Sequence, residues 1–475
     1  MMRFVDPVAD IAAATRLGAA LRRLGYTEDA VEDLLDDDDV ENPAVGERRL
    51  PGTGLGTAIR VFFLQLPVAK REAVRAFGAD AVDALAAMGL AEVGGEVVPL
   101  VRIIPVGSLL VASDDFPEGD ENPPEYVAAY TPTSRLCDCL TPRRRVDRAL
   151  DIGTGSGVQA LLAARHAKHV IATDVNERAL AYTQINAALS GLTNVECRRG
   201  SLFEPVAGEQ FDLITSNAPY VVSPENRWIF RDAGFEGDAL SERVVHEAAD
   251  HLVDGGYATL LVSWIAGDED EPDERPLAWT EAAECDSWIL PIWEADALAH
   301  AATWNDYLSD PKELRTALDT WTGYLDRIGA RWISEGAILL HRRDGGPNTV
   351  RIDQVDEDDL EPAGEQIQRA FAARARLAEF RRSRELLDAK LAVGAPLRLE
   401  REIRPGRGGD RNVRASLELD EGTHPIVDGP LAALEAIASL DGARALADVA
   451  STPQLQRTVL PIARELLELG ALSFV

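Results

Sequence analysis

Residues 148–158 read RALDIGTGSGV: a strand-like run through Asp151 and Ile152, then Gly153, Gly155 and Gly157 at every second position. The following stretch, Gln159 to Ala167, is apolar and helical in pattern. Glycines after a strand remove the side chains that would hold a ligand off, and a helix starting there offers unpaired N–H groups to a carboxylate or phosphate. Val158 breaks the GxGxxG spacing of dinucleotide folds, and Asp151 is awkward beside a pyrophosphate but suits an ammonium group. The segment therefore favours S-adenosyl-L-methionine over NAD, with Asp151, Gly153, Thr154, Gly155 and Gly157 as expected cofactor contacts.

Outward from this turn, a strand from His169 ends in Asp174, placed to hydrogen-bond both ribose hydroxyls of such a ligand. A helix from Glu177 to Leu189 leads to a third strand whose tip, at Ser201 and Leu202, should border the adenine ring. A fourth strand, Phe211 to Ser216, delivers Asn217-Ala218-Pro219-Tyr220 to the same edge. A planar NH2 group needs acceptors in its own plane, and the Asn217 side-chain oxygen and Ala218 carbonyl supply two. Pro219 holds Ala218 extended, and the Tyr220 ring can pack on the planar face. Either element alone is also an ordinary turn or strand-end loop. In this order, at successive strand tips, they define one cleft with Asn217, Ala218, Pro219 and Tyr220 as catalytic residues and Asn217 also as an expected cofactor contact.

From Val146 to Arg343, β-branched runs alternate with helical segments, the pattern of a parallel sheet covered on both faces. The change of pattern at each end divides the chain into residues 1–110, 111–343 and 344–475. The first part opens with an amphipathic helix, Ile11 to Leu24, and an acidic turn, Asp36 to Asp39. Helices from Thr57, over Val68 to Ala76 and over Asp80 to Gly89 precede a hairpin turning at Gly94-Gly95, a winged-helix-like order. Gly52 to Thr57 imitates a phosphate loop but lacks its strand and lysine, so it reads as a helix lead-in. Residues 111–128 are rich in proline and acid and read as a linker or cleft cover. The last part reads as helices Gln366 to Leu391, Pro430 to Ser439, Ala443 to Ala450 and Leu455 to Leu469, closed by the strand ALSFV, again winged-helix-like.

The 475 residues are 46% hydrophobic, enough for more than one core, and carry a formal net charge of -32. With four lysines, such a surface repels phosphate backbones, though Arg143, Arg144 and Arg145 form a local patch that could contact a structured RNA. No apolar run is long enough to span a membrane and no signal peptide opens the chain, so a cytoplasmic location is expected, with no membrane partner. Cys137, Cys139, Cys197 and Cys285 form no CxxC pairs and read as free thiols; no metal site is expected.

DIGTGSG and NAPY resemble the motifs of class I S-adenosylmethionine-dependent methyltransferases of the small-domain N-methyltransferase group, which includes release-factor glutamine methyltransferases and rRNA guanine and adenine N-methyltransferases. The resemblance runs from about Val146 to Val262 and includes Arg231 to Ser241, similar to a Gly-rich segment of the glutamine enzymes. That group usually carries Asn-Pro-Pro-Tyr or Phe, so Ala218 replaces a proline. The resemblance implies an α/β fold: a doubly wound, seven-stranded Rossmann-like methyltransferase sheet flanked by smaller winged-helix-like domains. Trp288 to Trp293 and Gly336 to Arg342 would be its antiparallel last strands, separated by a helix around Thr320 to Gly329, with an acidic loop at Gly267 to Arg275. The implied function is methyl transfer to a protein glutamine side chain, with a translation factor or ribosomal protein as partner. The alternatives are an rRNA guanine or adenine N-methyltransferase, a small-molecule N-methyltransferase and a non-catalytic adenosylmethionine-binding protein.

Overall fold

The computed structural model describes residues 6–36, 42–114, 123–225, 227, 229, 231, 234–267, 271–404 and 411–475. Most of the expected acidic turn at Asp36 to Asp39, residues 115–122 of the linker and residues 268–270 of the acidic loop therefore lie outside the described residues.

The central sheet contains β1 (Val146–Ile152), β2 (Ala167–Asp174), β3 (Val195–Arg199), β4 (Phe211–Ser216), β5 (Leu252–Ala266), β6 (Asp286–Asp296), β7 (Trp332–His341) and β8 (Val350–Ile352). Their spatial order is β8-β6-β7-β5-β4-β1-β2-β3. The run from β3 to β5 is parallel, and β7 inserts antiparallel between β5 and β6. The helices are α1 (Pro132–Cys139), α2 (Val158–Ala164), α3 (Glu177–Ser190), α4 (Ala239–His251), α5 (Glu274–Ala282), α6 (Ala297–Thr303) and α7 (Pro311–Arg327). The order reverses between β1 and β4, and in such sheets the crevice outside the carboxyl ends at the reversal is where ligands bind.

The sheet has eight strands rather than the seven expected. Val350–Ile352 pairs parallel with β6 through Ser287 and Val350, Trp288 and Arg351, and Ile289 and Ile352. Three residues carry no recognisable period; the open edge of β6 is what makes them a strand. Two C-terminal helices also differ from expectation. The helix expected over Gln366 to Leu391 runs from Gly364 to Glu379, and Phe380 leaves it in an extended conformation. A strand at Lys390–Val393 follows, paired with Leu472–Phe474 on one side and Asp441–Ala445 on the other. The expected helix Ala443 to Ala450 is thereby reduced to Leu446–Val449. Cross-strand pairing around buried Leu391, Leu446 and Leu472 outweighs the local helical preference of these segments.

Both flanks pack directly on the central layer. The amino-terminal helix, Ile11–Arg23, begins where the Asp10 side chain accepts from Ala13 N at 2.9 Å. It lies so close to α3 that a Cβ on Gly18 would sit 2.0 Å from the Leu189 carbonyl oxygen. Thr53 caps the short helix Gly54–Ala58, so the glycine-rich segment there is a helix lead-in. The hairpin Arg102–Val106 and Leu109–Ser113 joins α3 through Asn186: its Oδ1 accepts from Ala112 N at 2.8 Å, and its Nδ2 donates to the carbonyls of Ala112 and Ser156, each at 2.8 Å. On the carboxyl side, Ile367, Ala370 and Phe371 enter the same hydrophobic cluster as Leu213, Tyr257 and Trp288 of the sheet.

Replacing Asn186 by leucine keeps the branched shape but strands one buried N–H and removes the donor to two carbonyls. A loss of about 2–4 kcal/mol is expected, read as a lower urea midpoint. An unchanged midpoint would mean that the hairpin is held by other contacts.

Candidate active site

Register brings four strand tips level with one another. Ile152 pairs with Thr173 on one side and Ser216 on the other, and Asp174 pairs with Arg199. Gly153, Asp174, Gly200 and Asn217 therefore leave the sheet along one edge.

Gly153, Gly155 and Gly157 have φ of +64°, +56° and +89°, the left-handed region that side chains disfavour. A Cβ on Gly153 would lie 3.1 Å from the Ala218 Cβ, and one on Gly157 would lie 2.8 Å from the Thr183 Cγ2. At Gly155 it would meet no heavy atom within 4 Å, so this residue faces open space. The glycines thus separate into two that admit neighbouring chain and one that opens outward.

The Asp151 carboxylate lies beneath this loop and is 2% exposed. Its Oδ2 accepts from the Thr154 hydroxyl at 2.7 Å and Ala160 N at 3.1 Å; Oδ1 accepts from the Thr215 hydroxyl at 2.9 Å. One side chain thereby joins β1, the glycine turn, the start of α2 and β4. Burial pushes its pKa up to about 6, against the three hydrogen bonds that favour the ionised form.

Asp174 is partly exposed. Its Oδ2 accepts from Gly155 N at 3.0 Å and its Oδ1 from Asn176 N at 2.8 Å, while burial raises its pKa. At the next tip, Gly200 N donates to the Asp174 carbonyl at 3.0 Å. Leu202 adopts φ +48°, and its carbonyl accepts from the Thr173 hydroxyl at 3.4 Å. Ser201 and Leu202 are both half-buried beside Asp174.

On the other side of β1, the Asn217 Nδ2 donates to the Thr133 hydroxyl at 3.3 Å, at the start of α1. Among the described residues nothing donates to Asn217 Oδ1, so the amide is oriented by one end and open at the other. Ala218 is buried against Gly153. The Tyr220 carbonyl accepts from the Ser263 hydroxyl on β5. Burial, followed by the charges of Glu335 and Glu357, holds the Tyr220 phenol well above its ordinary pKa.

The wall beyond Tyr220 has no counterpart in the sequence reading. His300 of α6 is fully buried, with Nε2 2.9 Å from the Val222 carbonyl and burial lowering its pKa to about 4. Glu225 accepts from Trp321 Nε1 at 3.2 Å and pairs with Arg231. Arg231 stacks over the Trp321 ring at 5.4 Å. Asp232 and Ala233 of the Gly-rich segment lie outside the described residues. Thr133, Ser263, His300, Trp304 and Glu335 lie 43 to 115 residues along the chain from the tetrapeptide, and no spacing in the sequence links them to it.

The sheet order, glycine turn and loop after β4 define a class I methyltransferase domain. A family model, Methyltransferase small domain, matches residues 131–266. Over 169 residues the chain is 34% identical to the ribosomal protein uL3 glutamine methyltransferase of Bradyrhizobium diazoefficiens, covering 32% of this chain and 52% of that protein. Over 135 residues it is 42% identical to the release factor glutamine methyltransferase of Deinococcus radiodurans, covering 26% and 48%. A Methanocaldococcus jannaschii protein provisionally named a protein N5-glutamine methyltransferase is 30% identical over 138 residues, covering 27% of this chain and 69% of that one. The chain belongs to this small-domain N-methyltransferase family, and it spans about half the length of most of the curated relatives it matches. The family implies S-adenosylmethionine as methyl donor.

The native pKa of Asp151 lies above that of an unfolded aspartate, so the folded chain binds the extra proton between about pH 4 and its own pKa of about 6. Its contribution to stability therefore falls as pH rises through that window. Asp151→Asn cannot titrate, so its stability relative to the parent should improve from pH 4.5 to pH 7 by about 2 kcal/mol in paired denaturant titrations. A constant difference would mean that Asp151 titrates as it does in the unfolded chain.

Proposed function

We propose that this chain transfers a methyl group from S-adenosylmethionine to the side-chain nitrogen of a glutamine in a protein of the translation machinery. The observation that carries this reading is the contact between Ala218 and Gly153, which sets the amide-accepting tetrapeptide directly against the glycine turn. The fit of the cofactor rests on Gly155 facing open space between two left-handed glycines and on a partly exposed carboxylate at the β2 tip.

In this reading Asp174 accepts from the ribose hydroxyls, Ser201 and Leu202 border the adenine, and Gly153, Thr154, Gly155 and Gly157 line the methionine end. Both Asp151 oxygens are occupied within the protein, so its part is to shape the turn and place negative charge beneath an ammonium group. Bound there, S-adenosylmethionine supplies an electrophilic methyl carbon. Asn217 Oδ1 and the Ala218 carbonyl accept the two N–H bonds of the glutamine amide, which fixes the direction of its nitrogen lone pair. Tyr220 packs on the planar face. The amide nitrogen would take the methyl as the methyl–sulfur bond breaks, with S-adenosylhomocysteine as the leaving thioether, and would lose one proton to water, so position rather than a strong base would drive the reaction.

The runner-up is an RNA N-methyltransferase gripping its substrate through Arg143 to Arg145. Those residues precede β1, at the amino edge of the sheet, and seven residues of β1 separate them from the glycine turn, roughly 20 Å of extended chain. Arg143 is paired with Asp138; Arg144 donates to the Gly255 carbonyl and stacks over Tyr257. The flanks are read as winged-helix-like on their helix and hairpin order, and a translation substrate would place the protein in the cytoplasm.

With methyl-labelled S-adenosylmethionine and an undermethylated lysate, protease but not ribonuclease should release the label, which should map to glutamine. Release by ribonuclease alone would establish the RNA reading instead. Asn217→Ala should lower kcat by roughly a hundredfold or more while leaving cofactor affinity nearly unchanged. Asp174→Ala should do the reverse, weakening cofactor binding in calorimetry; equal losses of both properties in both variants would refute this division of roles.

A further inference from the structure

Beyond the tetrapeptide, the antiparallel strands carry a row of side chains on one face. Ser263 of β5 pairs in register with Glu335 of β7, which pairs with Trp293 of β6. Directly paired residues of antiparallel strands project to the same face of a sheet. Ser263 donates to the Tyr220 carbonyl, so Glu335 projects to the face on which Tyr220 sits. Ser263 is three residues past Leu260, the partner of the last β4 residue, Ser216, which puts the row at the height of the tetrapeptide rather than deep in the sheet.

The Glu335 carboxylate is oriented but not used up. Trp304 Nε1 donates to its Oε1 at 3.0 Å. Among the described residues no hydrogen bond occupies Oε2, and the side chain is 15% exposed. The groups that face it are His300 from α6, Tyr220 from the loop after β4, and Glu357 from the segment after β8. His300 Nδ1 lies 3.7 Å from Oε1, too far for a hydrogen bond, and the ring is neutral near pH 7. The ring is wedged between Trp293 and Trp321, with centroids 5.9 and 5.8 Å away. No cation neutralises the carboxylate among these neighbours. A half-enclosed carboxylate with one oxygen fixed and the other open is costly unless a donor meets it.

We propose that Glu335 is a substrate-binding residue of this site, its open carboxylate oxygen accepting a hydrogen bond from an N–H of the peptide that carries the methylated glutamine. This rests on the glutamine reading above. The tetrapeptide holds the reacting amide, and Glu335 holds the chain beside it, so the two fix both position and orientation of the substrate. A peptide N–H fits where a phosphate would be repelled by Glu335 and Glu357. Burial raises the Glu335 pKa to about 7. The accepting form is therefore gained as pH rises through neutrality.

The test is steady-state methylation of a purified, unmethylated release factor by the full chain and by Glu335→Gln. The only side-chain oxygen of that glutamine stays with Trp304 Nε1, and its NH2 group then confronts the peptide N–H. KM for the release factor should rise roughly tenfold to a hundredfold, with kcat changed less than threefold and S-adenosylmethionine affinity unaltered. Parent kcat/KM should rise between pH 6 and 8, and the variant should lose that rise. Trp304→Phe, which frees Oε1 and removes the orienting donor, gives a second readout and should raise KM in the same direction. Unchanged KM and pH profiles in both variants would overturn the role of Glu335 while leaving the glutamine reading intact. Label from the parent chain on RNA or on a small molecule, with none on a protein glutamine, would overturn both.

Discussion

The Asp151 carboxylate is the buried charge on which the geometry of the site depends. Its two oxygens hold the glycine turn, the first turn of α2 and β4 in one arrangement. Remove it and Thr154, Ala160 and Thr215 each lose a partner in a region with almost no water, where an unmade hydrogen bond is costly. The same arrangement fixes how closely the β1 and β4 loops approach, because Gly153 and Ala218 meet where the two strands end. A proline in place of alanine at 218 is usual in the resembled group, and here the buried alanine methyl fills the space against Gly153.

Around this centre the flanking segments act as walls of the central layer. Arg178 of α3, almost fully buried, pairs with Asp114 just after the amino-terminal hairpin, and the Tyr182 hydroxyl donates to Asp114 at 2.7 Å. Burial and the Asp114 charge raise the Tyr182 phenol well above its ordinary pKa. The group stays neutral and serves as a donor. At the carboxyl-terminal flank, Arg374 stacks over the Trp288 ring at 4.3 Å and donates to the Glu468 carbonyl at 2.9 Å. Burial lowers its pKa to about 9. Both flanks are thus fastened to the sheet by buried arginines set in polar contacts, in addition to apolar packing.

The acidic balance of the chain has a structural side. Many arginines are occupied by neighbours: Arg148 and Arg198 share Glu209, and Arg351 reaches Asp353, Glu465 and Glu468. The excess negative charge remains largely at the surface, where it disfavours polyanions. A carboxylate beside the tetrapeptide is in keeping with such a surface.

The amino-acid sequence by itself determined the strand and helix alternation from β1 to β5, the glycine turn, and the tetrapeptide after β4. These are legible because the period of apolar residues and the need for glycine at positive φ are local constraints. It did not determine β8, the end of the helix at Glu379, or the split of Ala443 to Ala450, because short segments take the conformation that a neighbouring strand or core offers. Nor did it link Thr133 to Asn217, or Ser263, His300, Trp304 and Glu335 to the stretch around Tyr220. The last four meet only after the antiparallel return of β7 between β5 and β6 brings distant residues into one register, a long-range pairing that no spacing along the chain encodes.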